Sequence, residues 1–173
     1  GLYDALKVRK FDLIISALPY DATLTRDVLY SQSYFNAGQV LLARSGDARI
    51  QSFMDLSGRK VAVELGAEAH QVVKRLARDK GLAIEIVAQR EADAAAVLLH
   101  AGQVDALVCD RVTAHRYLSQ DPDLYIVGAP LTDEPLVIAA RLDSPVLMQE
   151  VNVALQTWHE NGFLDELVRR WLQ

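Results

Sequence analysis

The sequence predicts an α/β fold built as two lobes with mainly parallel sheets, and three observations carry that prediction. Strand-like and helix-like segments alternate along most of the chain, the pattern of βα units. Two polar links, at residues 34–38 and 132–135, bracket a self-contained run of such units. Two chain crossings around one inserted lobe is the plan of a hinged protein that closes on a ligand. The divisions expected are residues 1–38 with 132–173 for the first lobe and 39–131 for the second. The third observation is the stretch 102–110. Gly102 suits the left-handed position after a helix. Residues 104–109 are then almost continuously apolar, as in a strand covered on both faces. Ligands of open α/β sheets bind beyond the carboxyl ends of the strands, and Asp110 stands there.

Taken in order, residues 2–8 have the apolar spacing of a helix end (Leu2, Ala5, Leu6). Residues 11–18 read as a strand buried on both faces through Leu13, Ile14, Ile15 and Ala17; Pro19, which has no N–H to donate, ends it. Residues 21–25 form a polar loop, and 39–44 a further strand. Ser52 is an N-cap with Asp55 in the box position. Residues 60–65 are a strand, Gly66 a tight strand-to-helix turn, and 69–80 an amphipathic helix stopped by Gly81. A strand at 83–87, a helix at 91–101, the Asp110 strand and a short helix at 111–118 complete the run. Strands at 124–127 and 136–140 follow. Ser144-Pro145 opens a helix over 146–160 that should bury Trp158. After the break at Asn161-Gly162, residues 164–172 form a last helix with Leu164, Leu167, Val168 and Trp171 at core spacing.

The composition is 51% hydrophobic and 24% charged over 173 residues, enough for a sizeable core in one or two units. A net charge of −5 with scattered basic residues argues against nucleic acid as a partner and gives no attraction to an anionic membrane surface. No apolar run is long enough to span a bilayer. A single cysteine, Cys109, excludes an internal disulfide. The four histidines fall on predicted helices without a second ligand at metal spacing, so neither metal nor cofactor is expected. No nucleophile elbow or phosphate-binding glycine loop occurs.

Several stretches in this order carry a family resemblance. They are Phe11-Asp12-Leu13-Ile14-Ile15-Ser16-Ala17, Tyr30-Ser31-Gln32-Ser33-Tyr34, Asp55-Leu56-Ser57-Gly58-Arg59-Lys60-Val61-Ala62-Val63 and Gly66-Ala67-Glu68-Ala69. The Asp110 strand and the tail from Asn161-Gly162 to Trp171 complete the set. Together they resemble the family 3 extracellular solute-binding proteins of bacterial ABC importers, best known for polar amino acids. The resemblance implies a type II periplasmic-binding-protein fold, a small ligand between the lobes, a membrane permease as partner and a place outside the cytoplasmic membrane. It also implies a β-α-β unit ahead of the first helix, which these residues do not contain. The first lobe is therefore expected to be incomplete, with an apolar strand edge that a second copy of the chain would cover.

The resemblance places ligand contacts at Ala17 and Pro19 on the first strand end, Leu24 in the loop after it, the turn Gly66-Ala67-Glu68, and Asp110. Amino-acid binders of this family carry an arginine where Leu24 stands, whose planar fork grips the ligand carboxylate. Pro19 replaces a small hydroxyl residue, and Glu68 adds a negative charge where hydroxyls are usual. Only Asp110, the acceptor for the ligand amine, is retained, which points to a cationic amine held without the usual carboxylate grip. Arg26, two residues along, would substitute for the arginine only with a shifted loop.

Each assignment has a plainer counterpart. Asp110 also suits the N-cap of the helix after it, and the two roles are compatible. Glu68 complements the helix dipole in a first turn. The bare helix end after Gly66 favours an anion by itself. Tyr20, Tyr30 and Tyr34 serve packing or stack on a cation. Cys109 reads as a small buried hydrophobe. The favoured function is non-catalytic solute binding for import. Two alternatives stay open: the sensing portion of a membrane receptor such as a histidine kinase, and a dehydratase-like enzyme using Asp110, Glu68 or Glu64 as acid or base.

Overall fold

The computed structural model describes residues 1–172. Its elements are α1 (Leu2–Lys7), β1 (Leu13–Pro19), β2 (Val28–Tyr30), β3 (Phe35–Asn36), β4 (Gln39–Arg44), β5 (Lys60–Glu64), α2 (Glu68–Lys80), β6 (Glu85–Gln89), α3 (Ala92–His100), β7 (Ala106–Asp110), α4 (Arg111–Gln120), β8 (Leu124–Val127), β9 (Pro135–Arg141), α5 (Pro145–Glu160) and α6 (Phe163–Leu172). Two 3-10 turns, Ala22–Leu24 and Phe53–Leu56, punctuate them. The chain divides into two compact units, Gly1–Ala37 with Glu134–Trp171, and Gly38–Asp133.

In the unit formed by the chain ends, β9 is central and pairs antiparallel with β1, β2 and β3. This corrects the expectation of parallel strands here. β1, β2 and β3 do not pair in succession; each meets β9, which the chain reaches only after the whole other unit, so no local βαβ crossover sets their direction. A second correction concerns β1, expected to be sealed on both faces. Ile14 is buried but Ile15 is 64% exposed. The strand is irregular between Ile14 and Leu18, where Ala17 takes a left-handed φ of 45°, and it lies at the edge of its sheet. A hydrophobic run reads the same whether the strand is central or marginal. Leu6, Ile14, Leu18, Val28 and Ala139 form the core of this unit. Trp158 and Trp171, expected inside, are 41% and 72% exposed. Trp158 packs on Phe163 and Trp171 lies under Arg170, while α6 buries none of its described side chains. Helical spacing aligns an apolar stripe but does not supply a surface to cover it.

The other unit meets the α/β expectation closely. Its five strands run β6-β5-β7-β4-β8. β5 is parallel to β6 and β7, the pairs linked through α2 and α3; β4 is antiparallel to β7 and β8. Side chains alternate between two cores. Leu41, Val61, Val63 and Val108 pack with Ala69 and Val73 of α2. Val40, Leu42, Ala62 and Leu107 pack with Ala95 and Leu99 of α3 and Tyr117 of α4. So α2 covers one face and α3 with α4 the other. Local signals also hold. Ser52 Oγ accepts from Met54 N at 3.2 Å, and Asp55 accepts from Ser52 N at 2.8 Å. Gly81, with φ 66°, closes α2.

Candidate functional site

The crossover helices lie on opposite faces of the sheet: β5 runs through α2 to β6, and β6 returns through α3 to β7 on the other side of β5. The chain thus reverses its winding between β5 and β7, and a crevice opens beyond their carboxyl ends, as doubly wound sheets require. A cavity of about 180 Å³ lies there, lined among others by Glu64 at the end of β5, Ala67 and Glu68 at the start of α2, Asp110 at the end of β7, and Gln39 at the start of β4.

Gly66 makes the turn into α2 with φ 82°, a conformation that suits a residue without a Cβ. Its N–H donates to His70 Nδ1 at 3.3 Å. Ala67 is the N-cap of α2 and offers no side-chain cap, while Glu68 in the first turn favours the positive end of the helix dipole. Asp110 leaves β7 with φ −65° and ψ 157° and caps α4. Its Oδ1 accepts from Thr113 N at 2.9 Å and its Oδ2 from Thr113 Oγ1 at 2.6 Å. The helix-cap reading of Asp110 is therefore realised, and each oxygen keeps one lone pair for another donor.

Sequence reasoning did not single out Gln39. It sits directly opposite Asp110 in the β4–β7 ladder, so both side chains leave the sheet on one side. Its main chain is satisfied, with N donating to Thr132 Oγ1 at 2.8 Å and O accepting from Leu131 N at 2.7 Å. The residue is 4% exposed, and the buried Oε1 has no hydrogen-bond partner. The available signal was a polar residue ahead of the four apolar residues 40–43; the missing information was the register. Among the described residues, the charged side chains that line the cavity are Glu64, Glu68 and Asp110.

Of the residues singled out in the sequence, Ala67, Glu68 and Asp110 are brought together around this cavity, with Gly66 as the turn before them. Ala17, Pro19 and Leu24 belong to the other unit. Ala17 is the exposed left-handed residue of β1, and Pro19 ends that strand opposite Leu136. Leu24 closes a 3-10 turn whose N-cap, Asp21, accepts from Thr23 N at 2.8 Å, and it packs half-buried against the Leu6–Ile14 core. Arg26 is exposed. Tyr20 and Tyr30 meet edge to face at 5.2 Å, and Tyr30 shares a 2.9 Å hydroxyl contact with Tyr3; burial, then that contact, raises the Tyr30 phenol. Cys109 is buried, and burial followed by the neighbouring Asp110 charge pushes its thiol well up, away from nucleophilic chemistry. Among the described residues no three His, Cys, Asp or Glu side chains converge as a metal site. Among the described residues no helix is long and apolar enough to cross a membrane.

The whole chain, residues 1–173, matches the family model for bacterial extracellular solute-binding proteins, family 3. It is 29% identical over 163 residues to the ABC transporter glutamine-binding protein GlnH of Bacillus subtilis (strain 168), covering 94% of this chain and 58% of that protein. It is 30% identical over 170 residues to the L-arginine-binding protein of Pseudomonas aeruginosa, covering 94% and 65%. The chain thus spans about three fifths of these relatives' length. Among solved structures, an ancestral cationic amino acid solute-binding protein superposes with a TM-score of 0.74 at 30% identity, over 100% of this chain and 74% of that one. The second substrate-binding domain of a putative amino acid ABC transporter from Streptococcus pneumoniae superposes with a TM-score of 0.80 at 21% identity, over 98% and 76%, a likeness of fold. With its fold that of the type II periplasmic binding proteins, the chain belongs to the bacterial extracellular solute-binding proteins, family 3.

Proposed function

We propose that this chain binds a small polar solute through a primary ammonium group, outside the cytoplasmic membrane, for delivery to the permease of an ABC importer. The observation that carries the reading is the Asp110 carboxylate at the cavity beyond β5 and β7, held by Thr113 yet with acceptor capacity to spare. Glu64 and Asp110 line the same 180 Å³, and an acidic lining favours a positive group in that space. Relatives named for glutamine and arginine support an amino-acid-like solute. The absence of a side-chain cap on α2 supports a carboxylate on the same solute, since a helix start favours an anion. Binding, not turnover, is the proposed activity.

Thermal unfolding with a ligand panel tests this. Agmatine and putrescine supply amines without carboxylates, L-arginine and L-glutamine supply both groups, and succinate supplies carboxylates alone. A ligand at a hundred times its dissociation constant stabilises by about 2.7 kcal/mol. Amines are expected to raise the melting temperature of the wild type and not of Asp110→Asn. A gain of L-arginine over agmatine would assign the carboxylate a role. Shifts by succinate alone, or amine shifts undiminished in Asp110→Asn, would overturn the reading.

A further inference from the structure

The cavity contains one buried polar atom without a partner, Gln39 Oε1. Burying an acceptor without a donor is unfavourable, and the cost is recovered only when a donor arrives. The groups already in the cavity are mostly acceptors themselves, in the carboxylates of Glu64, Glu68 and Asp110. The donor that Gln39 lacks is thus one a solute can bring.

We propose that Gln39 is a specificity residue of this site: its Oε1 and the Asp110 carboxylate accept hydrogen bonds from the same ammonium nitrogen, so the site selects groups with at least two N–H donors over quaternary ammonium of equal charge. This rests on the amine-binding reading and adds a second acceptor to it. The geometry follows from register. Gln39 and Asp110 are opposite in an antiparallel ladder, which puts their Cβ atoms about 5 Å apart on one face. One nitrogen between two side chains on such neighbours can donate to both. The Gln39 main chain is fixed by Thr132 and Leu131, so the side chain projects from a rigid strand start. Positive charge alone would satisfy the Asp110 carboxylate. Gln39 is neutral, and what it discriminates is the presence of an N–H.

The experiment compares putrescine and L-arginine with their fully N-methylated ammonium counterparts, by calorimetric titration of wild type, Gln39→Met and Asp110→Asn. Methionine keeps the length of the side chain and removes the acceptor. Wild type is expected to prefer the unmethylated probes by about tenfold or more, the scale of one buried hydrogen bond. Gln39→Met should bind them about tenfold more weakly and lose most of the preference. Its melting temperature without solute should equal or exceed the wild type, because an unpaired buried acceptor has been removed. Unchanged binding by Gln39→Met, with Asp110→Asn impaired, overturns the role of Gln39 and leaves the amine reading standing. So does a wild type that binds methylated and unmethylated probes alike. A lower melting temperature for solute-free Gln39→Met assigns Gln39 a structural role instead. Succinate binding that Gln39→Met abolishes would mean the amide presents its N–H, which also overturns the proposal. A wild type that binds neither amine overturns the amine reading and this inference together.

Discussion

Replacing Asp110 by alanine and by asparagine, with no solute present, separates what the residue does for the fold from what it does for a ligand. Asp110 is the N-cap of α4 and accepts two hydrogen bonds from Thr113, at 2.9 Å to N and 2.6 Å to Oγ1. Loss of an N-cap acceptor costs about 0.5–2 kcal/mol. The carboxylate charge at the helix start contributes about 0.3–1 kcal/mol more at low ionic strength. Asp110→Ala removes both and is expected to destabilise by about 1–3 kcal/mol. Asp110→Asn keeps an acceptor at the cap and loses only the charge, so its cost is a few tenths to about 1 kcal/mol. In urea, with a slope of about 2 kcal/mol/M, the alanine variant's midpoint should fall by about 0.5–1.5 M and the asparagine variant's by about 0.2–0.5 M. An alanine variant within about 0.3 kcal/mol of wild type would refute the cap, since no cap removal is that mild at a residue making both contacts. Equal losses in the two variants would show that charge alone carries the effect and that the hydrogen bonds to Thr113 contribute nothing.

Two further outcomes test the unit that carries the site. Asp47 is buried, and hydrogen bonds from the Arg49 side chain hold its carboxyl down at about 2 against an ordinary 3.8. A depressed carboxyl stabilises the fold above its unfolded pKa, and that contribution is lost as pH falls from about 4 through about 2. NMR titration should show Asp47 moving up toward the ordinary value in Arg49→Ala, with a shallower acid limb of stability; an ordinary value already in the wild type would contradict the pairing. Cys109, 7% exposed with its thiol raised by burial, should resist iodoacetamide at pH 8 in the folded protein and react fully in urea. Rapid labelling of the folded chain would contradict the buried β7.

Most of the Gly38–Asp133 unit was legible because its signals are local. The box between Ser52 and Asp55, the left-handed stop at Gly81, the apolar face of α2 and the continuous run of β7 are each set within a few residues. Asp110 was legible for the same reason: a carboxylate between a buried strand and a helix is marked by its immediate neighbours. β2 and β3 were not, because two or three residues are too few to show a period.

The sequence by itself determined the alternation of β and α elements, the family, and the turn and cap chemistry at Gly66 and Asp110, all of which depend on bonds and periodicities inside one segment. Only the tertiary structure decided that β9 pairs antiparallel with β1, β2 and β3, that Ile15 and Trp171 face outward, and that Gln39 stands opposite Asp110 with an unpaired acceptor in the same cavity. The physical reason is that register and burial are relations between segments far apart in the chain. A side chain's own neighbours in sequence fix where it points along its strand or helix, and not what, if anything, it meets there.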